Sequence, residues 1–96
     1  MEYKIKSIKH SGRKGARMTD RTDGRYPDRV GRVVEFKPTE YDIGFPFILK
    51  YLRLADGSDY SGMWLQCSRL VKISSTLDDE TVFVETLNTI YEFEKM

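Results

Sequence analysis

Arginine recurs at every fourth position from Arg13 to Arg29, with Lys14 beside the first and Arg32 closing the run. Between Gly12 and Arg32 this makes seven cations against three acids, Asp20, Asp23 and Asp28. Six of the seven are arginine, whose planar fork suits phosphate or carboxylate. Residues four apart share a helix face, so the spacing suggests a basic stripe. The residues between argue against one. Gly12, Gly15, Gly24, Pro27, Thr19, Asp20, Thr22 and Asp23 all oppose a helix interior. Ala16, Met18, Tyr26 and Val30 form no packing stripe, and a four-residue step drifts by about 40° around the cylinder. One or two turns between Ala16 and Asp23, with Gly24 closing them, are the most a helix could claim. The sequence instead predicts a long, mobile, Arg-rich loop over residues 11–29, inserted between two strands. Connections beyond about 12–15 residues are mostly functional or disordered. The candidate anion-binding set is Arg13, Lys14, Arg17, Arg21, Arg25, Arg29 and Arg32, with Tyr26 interleaved for stacking. The competing reading is a solvated loop whose aspartates pair with neighbouring arginines.

The other reactive residue types are sparse. One Cys and one His cannot build a zinc site, and a lone Cys67 forms no internal disulfide, which fits a reducing compartment. A Cys67–His10 nucleophile pair is formally open. Cys67 lies in an alternating strand, however, where a buried, inert thiol is the commoner case. His10, beside Lys9 and near Arg13, reads as a polar residue at a strand end. The carboxylates Asp56 and Asp59, and Asp78-Asp79-Glu80, fall where turns are expected. Local backbone hydrogen bonding explains them better than Mg²⁺ or Ca²⁺. GRKG at 12–15 lacks P-loop spacing, although its N–H groups could touch phosphate. Trp64 alternates with Met63 and Leu65. It is either an exposed aromatic contact for a base or partner or core covering the barrel's open end, and the core reading is preferred. These residues argue against catalysis and call for no metal or cofactor.

The elements that must position these groups read as short strands. Residues 2–9 set Tyr3 and Ile5 on one face and Lys4 and Lys6 on the other. Ile8 then falls out of step, so a bulge is expected near Ser7. Strands follow at 30–36, 45–54 and 63–73, the last with Met63, Leu65, Cys67 and either Leu70 or Val71 inward. Ala55-Asp56-Gly57-Ser58 supplies a turn. Residues 81–86 and 90–94 flank Leu87-Asn88-Thr89 as a closing hairpin. No segment keeps a helical apolar period for three turns. One all-β domain over 1–96 is expected, an antiparallel meander of five or six strands rolled into a small barrel. Its interior would be filled by side chains, leaving function to the surface.

Charge divides along the chain. Residues 1–37 balance to +6 and residues 38–96 to −5, within a net charge of +1. That asymmetry suggests a basic surface for an anionic partner. Equally, the two portions could lie against each other within the fold or between copies. No apolar run reaches the roughly 18 residues of a membrane span, so a cytoplasmic protein without membrane association is expected.

Arg29 to Gly31, Gly44 to Pro46, Cys67-Ser68, and Thr86, Asn88, Thr89 and Tyr91 together form a pattern over roughly residues 29–96. It resembles a group of small, mostly uncharacterised phage and mobile-element proteins of Gram-positive bacteria. The resemblance implies an SH3-like β-barrel and a phage-accessory context, and no activity. Residues 10–28 have no counterpart in that pattern. The expectation is therefore a non-enzymatic binding protein whose basic loop meets nucleic acid, a nucleotide or the acidic surface of a nucleic-acid-handling protein. Inhibition of a host defence system would be one outcome. The alternative is a self-associating assembly protein pairing its basic first third with its acidic remainder.

Overall fold

The computed structural model describes residues 1–96. Six strands close into one antiparallel barrel in chain order: β1 (Glu2–His10), β2 (Val33–Glu35), β3 (Pro46–Arg53), β4 (Trp64–Ser75), β5 (Thr81–Thr86) and β6 (Thr89–Lys95). A single helical turn, α1 (Tyr26–Arg29), precedes β2, and a 3-10 turn at Pro38–Glu40 follows it. The closed all-β architecture agrees with the SH3-like barrel that the resemblance implies. No helix is long and apolar enough to cross a membrane.

Period-two alternation sends one face of each strand inward. Tyr3 and Ile5 are fully buried, and the register against β6 shifts between Ile5 and Ser7, so Ile8 also turns inward. β4 makes the larger bend. It pairs with β3 through Trp64–Arg69 and with β5 through Leu70–Ser75, with a register shift at Leu70–Lys72. The shift selects Leu70 for the core and leaves Val71 exposed, whereas Met63, expected inward, lies before the start of β4 and is exposed. At one end of the barrel Phe36 packs between Tyr3 and Phe93, with ring centroids 4.7 and 4.8 Å away. Tyr3 donates a 3.0 Å hydrogen bond to the carbonyl of Asp79. The polar turns behave as expected: Asp56 accepts from the Ser58 amide at 2.9 Å, and Asp59 from the Ser61 amide at 3.0 Å. Thr89, expected in the last turn, belongs instead to β6 and is buried.

The connection from β1 to β2 is long, as expected, but it is not a free loop. Residues 18–21 fold back along the end of β1. The Met18 amide donates to the His10 carbonyl (2.9 Å), His10 to Thr19 (2.8 Å) and Arg21 to Ile8 (3.0 Å). The fold-back brings Gly15 onto the His10 ring so closely that a Cβ there would lie 2.8 Å from it. The α-helical turn in this connection is Tyr26–Arg29 and not between Ala16 and Asp23. Gly24, at φ +56°, comes before it rather than after. Pro27 takes the first turn of α1, where its fixed φ is compatible with a helix and its missing N–H costs nothing. Tyr26 then packs against the core cluster, so α1 rests on the barrel.

Candidate functional site

The arginine series separates into three groups. Arg17, at the surface, and Arg21, buried, are committed to partners within the chain. Arg17 makes a two-pronged pair with Glu85, Nη2–Oε1 2.8 Å and Nη1–Oε2 3.0 Å, and also donates to the Ser11 carbonyl. This holds the Glu85 carboxyl below its ordinary range, through the hydrogen bond first and the charge second. Arg21 is buried, its side chain 3% exposed. It grips Asp23 through Nη2 (2.6 Å) and Nε (3.1 Å) and donates to Thr89 Oγ1 at 2.8 Å. Its guanidinium carbon lies 4.0 Å from the Tyr26 centroid, with Arg29 on the same ring at 5.0 Å. Tyr26 is thus occupied by the protein's own arginines and pinned to the core, not presented as a free stacking surface. The reading in which basic and acidic portions lie against each other holds for these residues. So does the reading in which Asp23 pairs with a neighbouring arginine.

Arg13 and Lys14 form the second group. Both are exposed at the bends after β1, and neither joins an ion pair. The third group is Arg25, Arg29 and Arg32, none of which has a carboxylate partner. They share a cleft of about 320 Å³ at the rim of the barrel with Tyr51 of β3, Tyr60 of the β3–β4 turn, and Trp64, Leu65 and Gln66 of β4. No acidic residue lines it.

The elements around the cleft are fixed by their own hydrogen bonds. After α1 the chain clamps onto β1: the Gly31 amide donates to the Ile5 carbonyl at 2.7 Å, and the Ile5 amide to the Arg32 carbonyl at 2.9 Å. Gly31 has φ +92°, and a Cβ there would lie 3.0 Å from Cβ of Ala55. The α1–β2 junction therefore touches the tip of the β3–β4 turn, and the two frame the cleft between them. Arg32 is held by rings, its guanidinium carbon 5.2 Å from the Tyr51 centroid and 5.1 Å from that of Tyr60. Its Nε and the Tyr51 hydroxyl are both buried without a hydrogen-bond partner. Burial pushes the Tyr51 hydroxyl above its ordinary pKa, against the opposing pull of the Arg32 side chain close beside it and of the Arg29 and Arg32 charges. The phenol therefore stays protonated at neutral pH and able to donate.

Trp64 corrects the preferred sequence reading. It is not core: it is 53% exposed. Its register opposite Lys50 sets it on the outer face of β4, with the Lys50 ammonium 5.5 Å from the ring centroid. Gln66, two residues on, shares that face. Tyr51, Tyr60 and Gln66 were not legible as site residues. Tyr51 continues the inward series Phe47, Leu49, Tyr51, and nothing local distinguishes it from core.

Cys67 and His10 do not present a nucleophile pair. Cys67 contacts the Tyr91 hydroxyl at 3.4 Å, and burial pushes its thiol up to about 11. A thiolate is thereby disfavoured at neutral pH. The arrangement at the rim is suited to holding an anion: unpaired guanidinia, a buried hydroxyl donor and aromatic faces, in a site without opposing charge. No family model matches the chain, and no match is found among curated proteins or solved structures.

Proposed function

We propose that this is a non-enzymatic binding protein that takes an anionic partner, nucleic acid, a nucleotide, or the acidic surface of a nucleic-acid-handling protein, on its arginine-lined rim. The observation that carries the reading is that Arg25, Arg29 and Arg32 line one cleft with no carboxylate in it. Arg29 and Arg32 are half-buried with only aromatic rings to offset their charge, and an incoming anion supplies the counter-charge they lack. The basic loop of the sequence reading thus narrows to its last third together with Trp64. Arg17 and Arg21 drop out of the binding set because their forks are already filled.

The phage-accessory context, with inhibition of a host defence system as an outcome of binding, is part of this proposal and rests on the resemblance of residues 29–96. The test is binding to RNA, DNA and heparin across a salt series. Affinity should fall with salt and be lost in Arg25→Glu/Arg29→Glu. Binding that ignores both salt and these two residues would remove the proposal.

A further inference from the structure

We infer that the rim cleft holds one nucleoside-phosphate unit, the phosphate on Arg25, Arg29 and Arg32 and the base against Trp64. This rests on the anion-binding reading above and specifies its ligand. A bare anion or an acidic peptide would need only the guanidinia. The cleft offers three things beyond charge.

The first is a buried donor with nothing to bind. Tyr51 is 4% exposed, its hydroxyl has no partner, and Arg32 Nε is orphaned beside it. Buried polar groups are ordinarily satisfied. Both atoms are covered, not open to solvent, and they belong to two residues that line the cleft; a phosphate drawn in by the guanidinia supplies the acceptor oxygens they lack.

The second is a flat apolar face at the same opening. Trp64 is exposed where an indole would ordinarily be largely covered. Lys50 approaches the ring to 5.5 Å, and a stacked base would share the exposed indole with it. Base–aromatic stacking needs only a π-face and tolerates any base. Gln66, on the same face of β4, carries an amide that both donates and accepts, as the edge of a base does.

The third is size. At about 320 Å³ the cleft lies at the lower end of the roughly 300–1,000 Å³ range of small-molecule sites, enough for one nucleotide. A base in a duplex is stacked on its neighbours and unavailable to Trp64. The chemistry is therefore that of a free nucleotide or of one residue in a single strand.

Trp64 is the only tryptophan, so its fluorescence reports on the cleft. The experiment titrates the full chain with adenosine monophosphate, a single-stranded octanucleotide, the matching duplex, inorganic phosphate, a phosphotyrosine peptide and heparin. Intrinsic fluorescence is read alongside calorimetry. The monophosphate and the single strand should quench Trp64, whereas phosphate should bind weakly without quenching. Comparable affinity for monophosphate and octamer assigns the cleft to a free nucleotide. A much tighter octamer assigns it to a nucleic-acid strand. Trp64→Ala, read by calorimetry, should weaken single-strand binding about tenfold or more with the salt slope unchanged. Arg29→Ala should lower that slope by about 0.7. Tyr51→Phe is the sharper variant: within the protein the hydroxyl approaches only the Arg32 side chain and makes no well-formed hydrogen bond, so Tm should change little while affinity falls about tenfold.

The inference is overturned if neither nucleotide ligand quenches, if Trp64→Ala and Tyr51→Phe both leave affinity unchanged, or if the phosphopeptide or the duplex binds more tightly than the single strand. Heparin separates this failure from the broader one. Arg25- and Arg29-dependent heparin binding without nucleotide preference overturns the nucleotide alone, and no polyanion binding overturns both readings.

Discussion

Replacing Arg21 by alanine removes a fork that joins three parts of the molecule. The side chain is 3% exposed and donates to Thr89 Oγ1 at 2.8 Å, to both Asp23 oxygens at 2.6 and 3.1 Å, and stacks 4.0 Å over Tyr26. A charge-assisted hydrogen bond to a buried hydroxyl contributes about 1.5–3 kcal/mol, and a partly desolvated cation–π contact about 0.5–2. The Asp23 pair counts for less, about 1 kcal/mol at most, because Asp23 is 54% exposed. Arg21→Ala should therefore cost about 3 kcal/mol. For a domain of this size that is a large share of a total of roughly 5–14 kcal/mol, and Tm should fall by about 12–25 °C. Arg25, four residues on, is exposed and unpaired, so Arg25→Ala should stay within about 0.5 kcal/mol. Urea unfolding followed by circular dichroism measures both. Arg21→Lys keeps the charge without the fork and should recover less than half the loss. A cost below about 1 kcal/mol for Arg21→Ala, or equal costs for the two alanine variants, would refute the division between structural and binding arginines.

Gly31→Ala should destabilise by about 1–3 kcal/mol, since it combines a positive φ with a close approach to Ala55. Gly57→Ala, at φ +90° in open space, should cost less, and the reverse order in thermal melts would count against the contact. Because the Cys67 thiol is pushed up to about 11, alkylation by iodoacetamide at pH 8 should run about a hundredfold slower than for a free cysteine. A rate like that of glutathione would contradict its burial. The carboxyls of Asp23, Asp56, Asp59 and Glu85 are all lowered in the fold, each first by a hydrogen bond to Arg21, Ser58, Ser61 and Arg17 respectively. The unfolded chain therefore takes up protons at higher pH than the folded one. The stability these groups give is complete above about pH 4.5 and is lost as pH falls through the carboxylate range. A Tm that stays flat from pH 7 to pH 3 would refute this.

The barrel was legible because its signals are local. Alternation in EYKIKSIK, with Ile8 out of phase, states both a strand and its bulge, and the register shift at Ile5–Ser7 is where that phase error lies. Asp56-Gly57 and the Thr86–Thr89 corner carry their turn chemistry within four residues. The site was only half legible because its determinants are not local. Arg21 meets Thr89, and Arg17 meets Glu85, each across 68 positions. Nothing between Gly12 and Arg32 marks which arginines find partners at that distance. Pro27 misled in the other direction, since the residue that argued against a helical stripe also starts the one helical turn that forms. Trp64 was misjudged because alternation fixes which face a residue takes, whereas coverage of that face depends on neighbours brought by other strands.

Closure of the barrel limits how any partner can be recognised. With β1 hydrogen-bonded to both β2 and β6, the ring has no terminal strand whose backbone donors and acceptors stand free. Strand addition, the route by which many peptide-binding domains gain affinity, has only the short one-sided stretches of β4 to use, Trp64–Arg69 and Leu70–Ser75. Recognition therefore falls mainly to side chains at the rim and the outer wall, where single substitutions can change the partner while the hydrogen-bonded frame stays as it is.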